Sequence, residues 1–407
     1  MDPRKLKGLN TEKNNTLESP FPYWWAFGEQ NQPQRENLSQ KAVLFLGNDM
    51  ATFTKAGTDA DAYVKKCNQC LDYIRMEFKD FELYYKPHPA DKIERVSLNL
   101  DGFEILEDGM SAELYLFKNY DRIRSVFSVG SAASYNAYAM GMDAHVFYKC
   151  FSNIFDGEKI RPLDEFYYSM PLSFFITDLA EKPVNNSRLL EKDGVTETFF
   201  KSILASNTSD NVWLVVFTVE YAVLLIALSN LIRSIVPSKK VRLIISSHSY
   251  WKTLGSDDFK NNFDEIIMWP RIYCSLRPLK LWQAVLTAIK VKKFDISKND
   301  LFISITQNSF VENCLNSYNK NSQRIGLISD KDFNLFYNSG NSVYTENSDF
   351  RFSKASWFFN KILEPLLGLN RSLFMSYGKD KDSFINRYQK PVNEIFDKVI
   401  VMKADTI

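Results

Sequence analysis

Val212-Trp213-Leu214-Val215-Val216-Phe217, followed after Thr218-Val219-Glu220 by the apolar run 221–235, is the stretch on which the fold turns. Read as one segment, residues 212–232 are apolar enough to suggest a membrane helix. Two features divide it instead. The first six residues are β-branched, aromatic or aliphatic, as in a strand buried on both faces of a parallel sheet, whereas 221–235 is rich in helix formers. A membrane span would also put Glu220 near its centre, at a high desolvation cost. The stretch therefore predicts strand, turn and helix, the repeating unit of an α/β fold.

The same alternation extends to both sides. Downstream of the polar break Ser206-Asn207-Thr208-Ser209-Asp210, further strands are predicted at 241–246, 265–268, 301–305 and 325–328, with helices at 279–290 and 310–318. A polar loop at 338–349, a helical pattern at 357–367 and a short strand at 398–402 close the chain. Upstream, strands are predicted at 41–47, 81–85, 103–106, 126–127 and 144–148, with helices at 59–78, 111–118 and 132–140. The expected organisation is α/β with two Rossmann-like domains, 41–205 and 211–407, behind a polar leader or linker at 1–40. Ligands are expected at the carboxyl ends of the strands.

With 407 residues, 45% of them hydrophobic, the chain can bury two or three cores. Its 50 basic and 49 acidic residues nearly cancel, which leaves no bulk field to gather nucleic acid or an anionic membrane. Met1-Asp2-Pro3-Arg4-Lys5-Leu6-Lys7 lacks the apolar core of a secretory signal, so a cytoplasmic location is expected. Cys67 and Cys70 form a CxxC well inside a predicted helix rather than at its start, which reads as two structural thiols and not a redox pair.

Chemistry concentrates in the first half. In Tyr84-Tyr85-Lys86-Pro87-His88-Pro89 a strand ends in two prolines that fix the backbone, so His88 is presented from a rigid turn at the edge where ligands bind. An imidazole there can donate a hydrogen bond to a phosphate oxygen, with Lys86 adding positive charge. The alternative is a turn histidine punctuated by prolines. Ser128-Val129-Gly130-Ser131-Ala132-Ala133-Ser134 joins a strand to a helix through small residues, whose backbone N–H groups and hydroxyls can meet a phosphate. Ser131 would equally serve as a plain N-cap. Between these turns, Gly109-Met110-Ser111-Ala112-Glu113 opens another helix, so that Glu113 either accepts from ribose hydroxyls or complements the helix dipole.

The KPHP turn, the Ser111-Ala112-Glu113-Leu114 segment and the serine turn together resemble the nucleotide-binding half of bacterial sialyltransferases, in particular the capsular polysialyltransferases and lipooligosaccharide sialyltransferases. That resemblance covers about residues 41–148. It implies a GT-B fold with two domains facing a cleft, and donor phosphate held by His88 and Ser131, with Ser128 and Ser134 beside them; Lys86, Pro89, Gly130 and Glu113, in the same turns, are further nucleotide-binding candidates. The implied activity is transfer of a sugar, sialic acid from CMP-sialic acid, to a glycan acceptor in capsule or lipooligosaccharide synthesis. The displacement would be metal-independent and inverting, with no cofactor. The family's acceptor half carries an acidic D/E-D-G motif whose aspartate is the general base. The literal Glu107-Asp108-Gly109 lies in the donor half and reads as a strand-end turn. Gly326-Leu327-Ile328-Ser329-Asp330-Lys331-Asp332, after the fifth strand of the second half, is the positional candidate, with Asp330 first and Asp332 second as base. The family places its acceptor half first, so the halves here read as circularly permuted.

Glu220 and His248, which follow the first two strands of the second half, are candidates to touch the acceptor. His145 reads as structural. No cysteine, histidine and carboxylate cluster has metal-ligand spacing. Lys290-Val291-Lys292-Lys293 reads as a solvated helix end, the alternative being peripheral membrane contact. Two other function classes stay open: a non-catalytic nucleotide- or polysaccharide-binding module, and a nucleotide-sugar epimerase.

Overall fold

The strand read at 212–217 forms as an interior strand of the larger of two sheets. The computed structural model describes residues 16–27, 41–50, 58–89, 94–107, 109–155, 163–164, 166–217, 219–246, 257–272, 275–294, 296–297, 299–305, 310–319, 322–330, 358–369 and 396–404. Among these residues every strand pairing is parallel. The chain divides into two compact units. One contains the seven-stranded sheet and comprises Met1–Pro20, Asp193–Tyr221 and Leu228–Lys403. The other contains the five-stranded sheet and comprises Phe21–Lys192, Ala222–Ala227 and Ala404–Ile407.

The seven-stranded sheet contains β1 (Thr16–Pro20), β7 (Asn211–Val216), β8 (Lys240–Ser246), β9 (Glu265–Trp269), β10 (Leu301–Ser304), β11 (Gln323–Ser329) and β12 (Lys398–Lys403). The five-stranded sheet contains β2 (Ala42–Leu46), β3 (Glu82–Lys86), β4 (Phe103–Ile105), β5 (Ile123–Ser128) and β6 (Asp143–Val146). Its order, β4-β3-β2-β5-β6, reads 3-2-1-4-5 when counted from β2. In the larger sheet the order β9-β8-β7-β10-β11-β12 reads 3-2-1-4-5-6 counted from β7, and β1 is added beside β12. Both are Rossmann-like orders, each with a switch point beside its first strand where successive connections run in opposite directions. These lie between β2 and β5, and between β7 and β10.

Local chemistry explains the elements. Helix α1 (Ala60–Glu77) starts at Asp59, whose carboxylate accepts from the Ala62 N–H at 2.8 Å. It buries Tyr63, Cys67, Cys70, Leu71 and Ile74 at helical spacing. The two thiols thus lie on the core face, where burial holds both well above the usual thiol range, as suits packing and not redox chemistry. Helices α2 (Ala112–Lys118) and α3 (Ala132–Ala139) complete the five-stranded unit's predicted series.

In the larger unit, β7 is buried from Val212 to Val216, and Trp213 Nε1 donates to Asp300 Oδ2 at 2.7 Å. Trp213, Val215 and Phe302 pack against Ala284, Ala288 and Val291 of α6 (Pro278–Lys292) and against Phe310 and Cys314 of α7 (Phe310–Tyr318). Truncating Trp213 to alanine would cost about 3–5 kcal/mol. The stretch 212–235 divides as read, into β7 and α5 (Ala222–Ile235), with Glu220 in the turn between them. Among the described residues no helix is long and apolar enough to cross a membrane.

Among the elements not foreseen are an edge strand and a helix. Thr16-Leu17-Glu18-Ser19-Pro20 lies in the segment read as a leader, yet pairs with β12 in register from Thr16 opposite Val399 to Pro20 opposite Lys403. Its polar composition and terminal proline suit an edge strand, which needs only one paired side. Helix α4 (Gly194–Ser206) is capped by Asp193, whose carboxylate also accepts from the Ser19 hydroxyl of β1 at 2.9 Å. This tie places α4 in the seven-stranded unit, so the division falls at Lys192/Asp193 rather than at the polar break 206–210. The leader is shared: 16–20 join one unit, while in the other Phe21 stacks on Tyr23 and meets Tyr135, and Phe27 packs against Phe117 and Tyr120.

Candidate functional site

In the five-stranded unit, Lys86, Leu46 and Ser128 are register partners and the last residues of three adjacent strands. The turns that follow them therefore leave one sheet edge together: Lys86–Pro89, Gly47–Met50 in the middle at the switch point, and Val129–Ser131. Strands lie about 4.8 Å apart, so the outer two turns begin about 10 Å from each other. One nucleotide could bridge that span. The sequence motifs at Lys86 and Ser128 are thus brought to a single site.

The individual side chains are disposed differently from one another. His88 and Pro89 are exposed, and Pro87 is half-buried. Lys86 is only 6% exposed, and its ammonium lies 5.2 Å from the centre of the Tyr115 ring on α2. Glu113, in the first turn of that helix, is buried as well. Ser128 and Ser134 are fully buried and hydrogen-bond each other, Oγ to Oγ, at 2.8 Å, while the Ser131 N–H donates to Ser128 Oγ at 3.1 Å. Their hydroxyls shape the turn. Ser131 is the partly exposed member, and its hydroxyl accepts from the Ala133 N–H at 3.2 Å as the N-cap of α3. Gly130 is not there for space: an added Cβ would meet Leu163 at an ordinary 3.5 Å. Gly109 has φ +66°, which agrees with a strand-end turn at 107–109, although Asp108 lies outside the described residues.

The middle turn is the part that sequence reasoning missed. Glu94, fully buried in the helical turn Glu94–Ser97, accepts from the Asn48 N–H at 2.6 Å, from Tyr85 OH at 3.0 Å and from Tyr63 OH at 3.0 Å. One carboxyl thus fastens the β2 turn to β3 and α1. Gly47 is needed for this approach, because a Cβ there would come within 2.8 Å of Glu94 Oε2 and closer still to the Tyr85 hydroxyl. Two buried polar atoms flank the β2–α1 connection without a hydrogen-bond partner, Asn48 Nδ2 and Thr58 Oγ1. Buried donors are rarely left unmade, so their position at a switch point suits a ligand with acceptor oxygens. The signal available in the sequence was Gly47-Asn48 at the end of the unit's first strand. Glu94 gave none, since its partners are 9 to 46 residues distant.

The carboxyl edge of the seven-stranded sheet carries acids. Asp330 follows β11 directly and is 4% exposed, and the preceding Ser329 hydroxyl lies 3.1 Å from Tyr221 OH. Tyr221 ends the turn that contains the half-buried Glu220, so the β7 and β11 ends are tied. Glu312, in the first turn of α7, is fully buried and accepts from Ser304 Oγ at 3.0 Å. It too escaped sequence reading, as one acid in an amphipathic pattern. Asp332 and His248 lie outside the described residues. Among the described residues no group of histidine, cysteine and carboxylate side chains is arranged to hold a metal ion.

His145 takes no part at either edge. It is fully buried, with its ring nitrogens each 3.0 Å from an acceptor, the Ser173 carbonyl and Asp143 Oδ1. Asp143 also accepts from Ser125 Oγ at 2.5 Å and the Asn186 N–H at 2.9 Å. Burial alone would raise this carboxyl, but the His145 contact and these donors hold it below the usual range. Compared with known proteins, the chain matches no family model and no curated protein sequence.

Proposed function

We propose that the chain is a glycosyltransferase of GT-B type, with its halves in permuted order, that takes a sugar from a nucleotide donor bound at the five-stranded edge. The observation that carries this reading is the row Lys86, Leu46, Ser128, which sets the KPHP turn, the Gly47-Asn48 turn and the serine turn side by side at a switch point. The polar groups offered there suit an anion: an exposed imidazole, a backbone turn capped by Ser131, and the amide of Asn48. In the reaction, His88 would donate to the departing phosphate while an acid of the other half, Asp330 first, takes the acceptor proton. With the resemblance to sialyltransferases, CMP-sialic acid is the donor proposed and a capsular or lipooligosaccharide glycan the acceptor. The permuted order is supported by β1, which comes from the start of the chain but lies parallel beside β12 near its end.

The test is acceptor-dependent turnover. Purified protein with CMP-sialic acid and a panel of glycans should release CMP only when an acceptor is present, and His88→Ala should abolish it. Release without acceptor dependence would point to the epimerase class. One observation favours a second reading, a nucleotide-binding module without catalysis: Asp330 is 4% exposed, whereas a base must touch its acceptor hydroxyl. CMP binding with no turnover on any glycan would favour that reading.

A further inference from the structure

Helix α6 has two apolar faces. Ala284, Ala288 and Val291 are buried in the core. On the outer side Leu279, Trp282, Leu286 and Ile289 follow at spacings of three, four and three residues and are exposed to 84%, 61%, 38% and 43%, with Leu276 just before the helix exposed to 45%. Successive side chains turn about 100° along a helix, so these four residues form one stripe within about 80° of arc. Single exposed apolar residues are ordinary, but a stripe of large ones that includes tryptophan marks an interaction surface.

The charge around the stripe selects the partner. From Ile266 to Phe294 the chain carries Arg271, Arg277, Lys280, Lys290, Lys292 and Lys293 and no acidic residue, although the whole chain has a formal net charge of only +1. Arg277, Lys280, Lys290, Lys292 and Lys293 are all exposed. An apolar stripe bordered by lysines at both ends, with no acid among them, fits the anionic headgroup region of a bilayer. The aliphatic and indole groups enter the acyl boundary, and the lysine stems reach back to the phosphates. Protein–protein interfaces, by contrast, are depleted in lysine.

We infer that the outer face of α6 docks the protein on anionic lipid membranes, lying in the interface plane without crossing it. The inference does not depend on the nucleotide site. Its test is co-sedimentation of the full chain, without nucleotide, with vesicles of phosphatidylcholine alone or mixed with phosphatidylglycerol. Binding should appear with the anionic vesicles, weaken as salt is raised, and fall about fivefold for each of Lys280, Lys290, Lys292 and Lys293 changed to glutamine. Leu279→Ser/Trp282→Ser should bind at least tenfold less while keeping the parent melting temperature, since both side chains project from the surface. No binding to anionic vesicles would overturn the inference, as would binding insensitive to both sets of substitutions. A dimer in solution that Leu279→Ser/Trp282→Ser converts to monomer would also overturn it, by giving the stripe to a second copy.

Discussion

The carboxyl edges of the two sheets follow the same strand order around their switch points and offer opposite chemistry. At the five-stranded edge the strands run into turns of glycine, proline and serine, where Asn48, Ser131 and His88 present hydrogen-bond donors and the acid Glu94 is consumed in fastening the turn. At the seven-stranded edge, Glu220, Glu312 and Asp330 gather at the ends of β7, β10 and β11. A shared topology therefore fixes where a site can form, while the turn residues decide what it can hold. Donor-rich turns suit a phosphate, and carboxyl-rich turns suit proton removal.

The sharpest way to break this contrast is to alter one edge and read both tasks. Asp330→Asn should lower sugar transfer by about 10²–10⁴-fold, the usual worth of a general base, with CMP affinity unchanged in calorimetry. An equal fall in affinity would show that the edges do not divide the work. Next in size is Glu94→Ala, which leaves the Tyr63 and Tyr85 hydroxyls and the Asn48 N–H without their acceptor. Urea denaturation should show a loss of about 3 kcal/mol or more, accompanied by loss of CMP binding.

Glycine substitutions sharpen the comparison within the five-stranded edge. Gly47→Ala forces a Cβ onto Glu94 and Tyr85 and should cost about 1–3 kcal/mol, whereas Gly130→Ala makes ordinary contact with Leu163 and should stay within about 0.5 kcal/mol. Thermal melts of the pair would reveal whether the β2 turn is the rigid one. The smallest expected effect lies away from both edges, at Asp143. Its native carboxyl titrates below the unfolded value of about 3.9, so it adds stability above that pH and loses the contribution as pH falls through the native value. Between pH 5 and 2, the urea midpoint of Asp143→Asn should decline less steeply than that of the parent.

The regular elements were largely legible because burial left a strong pattern: β7 and β10 are nearly continuous apolar runs, and α1 repeats its apolar residues at helical spacing. β1 was not, since an edge strand of Thr, Leu, Glu, Ser and Pro carries neither alternation nor an apolar run, and its partner β12 lies at the far end of the chain. The same holds for the candidate site. Lys86 to Pro89 and Ser128 to Ser134 advertise themselves as local turns, and the register confirms that they share an edge. Residue roles within them were less readable, for the hydroxyls of Ser128 and Ser134 face each other and Lys86 lies against Tyr115. Glu94 acts through partners that only tertiary folding assembles.

The central claim is that the five-stranded edge holds a nucleotide phosphate through His88 and its neighbouring turns. Calorimetric titration of CMP into the parent protein and into His88→Ala tests it most directly. One saturable site in the parent, weakened about 10–100-fold by the substitution as expected for a hydrogen bond to a charged group, is the predicted result. Absence of CMP binding by the parent, or the same affinity in both proteins, would contradict it.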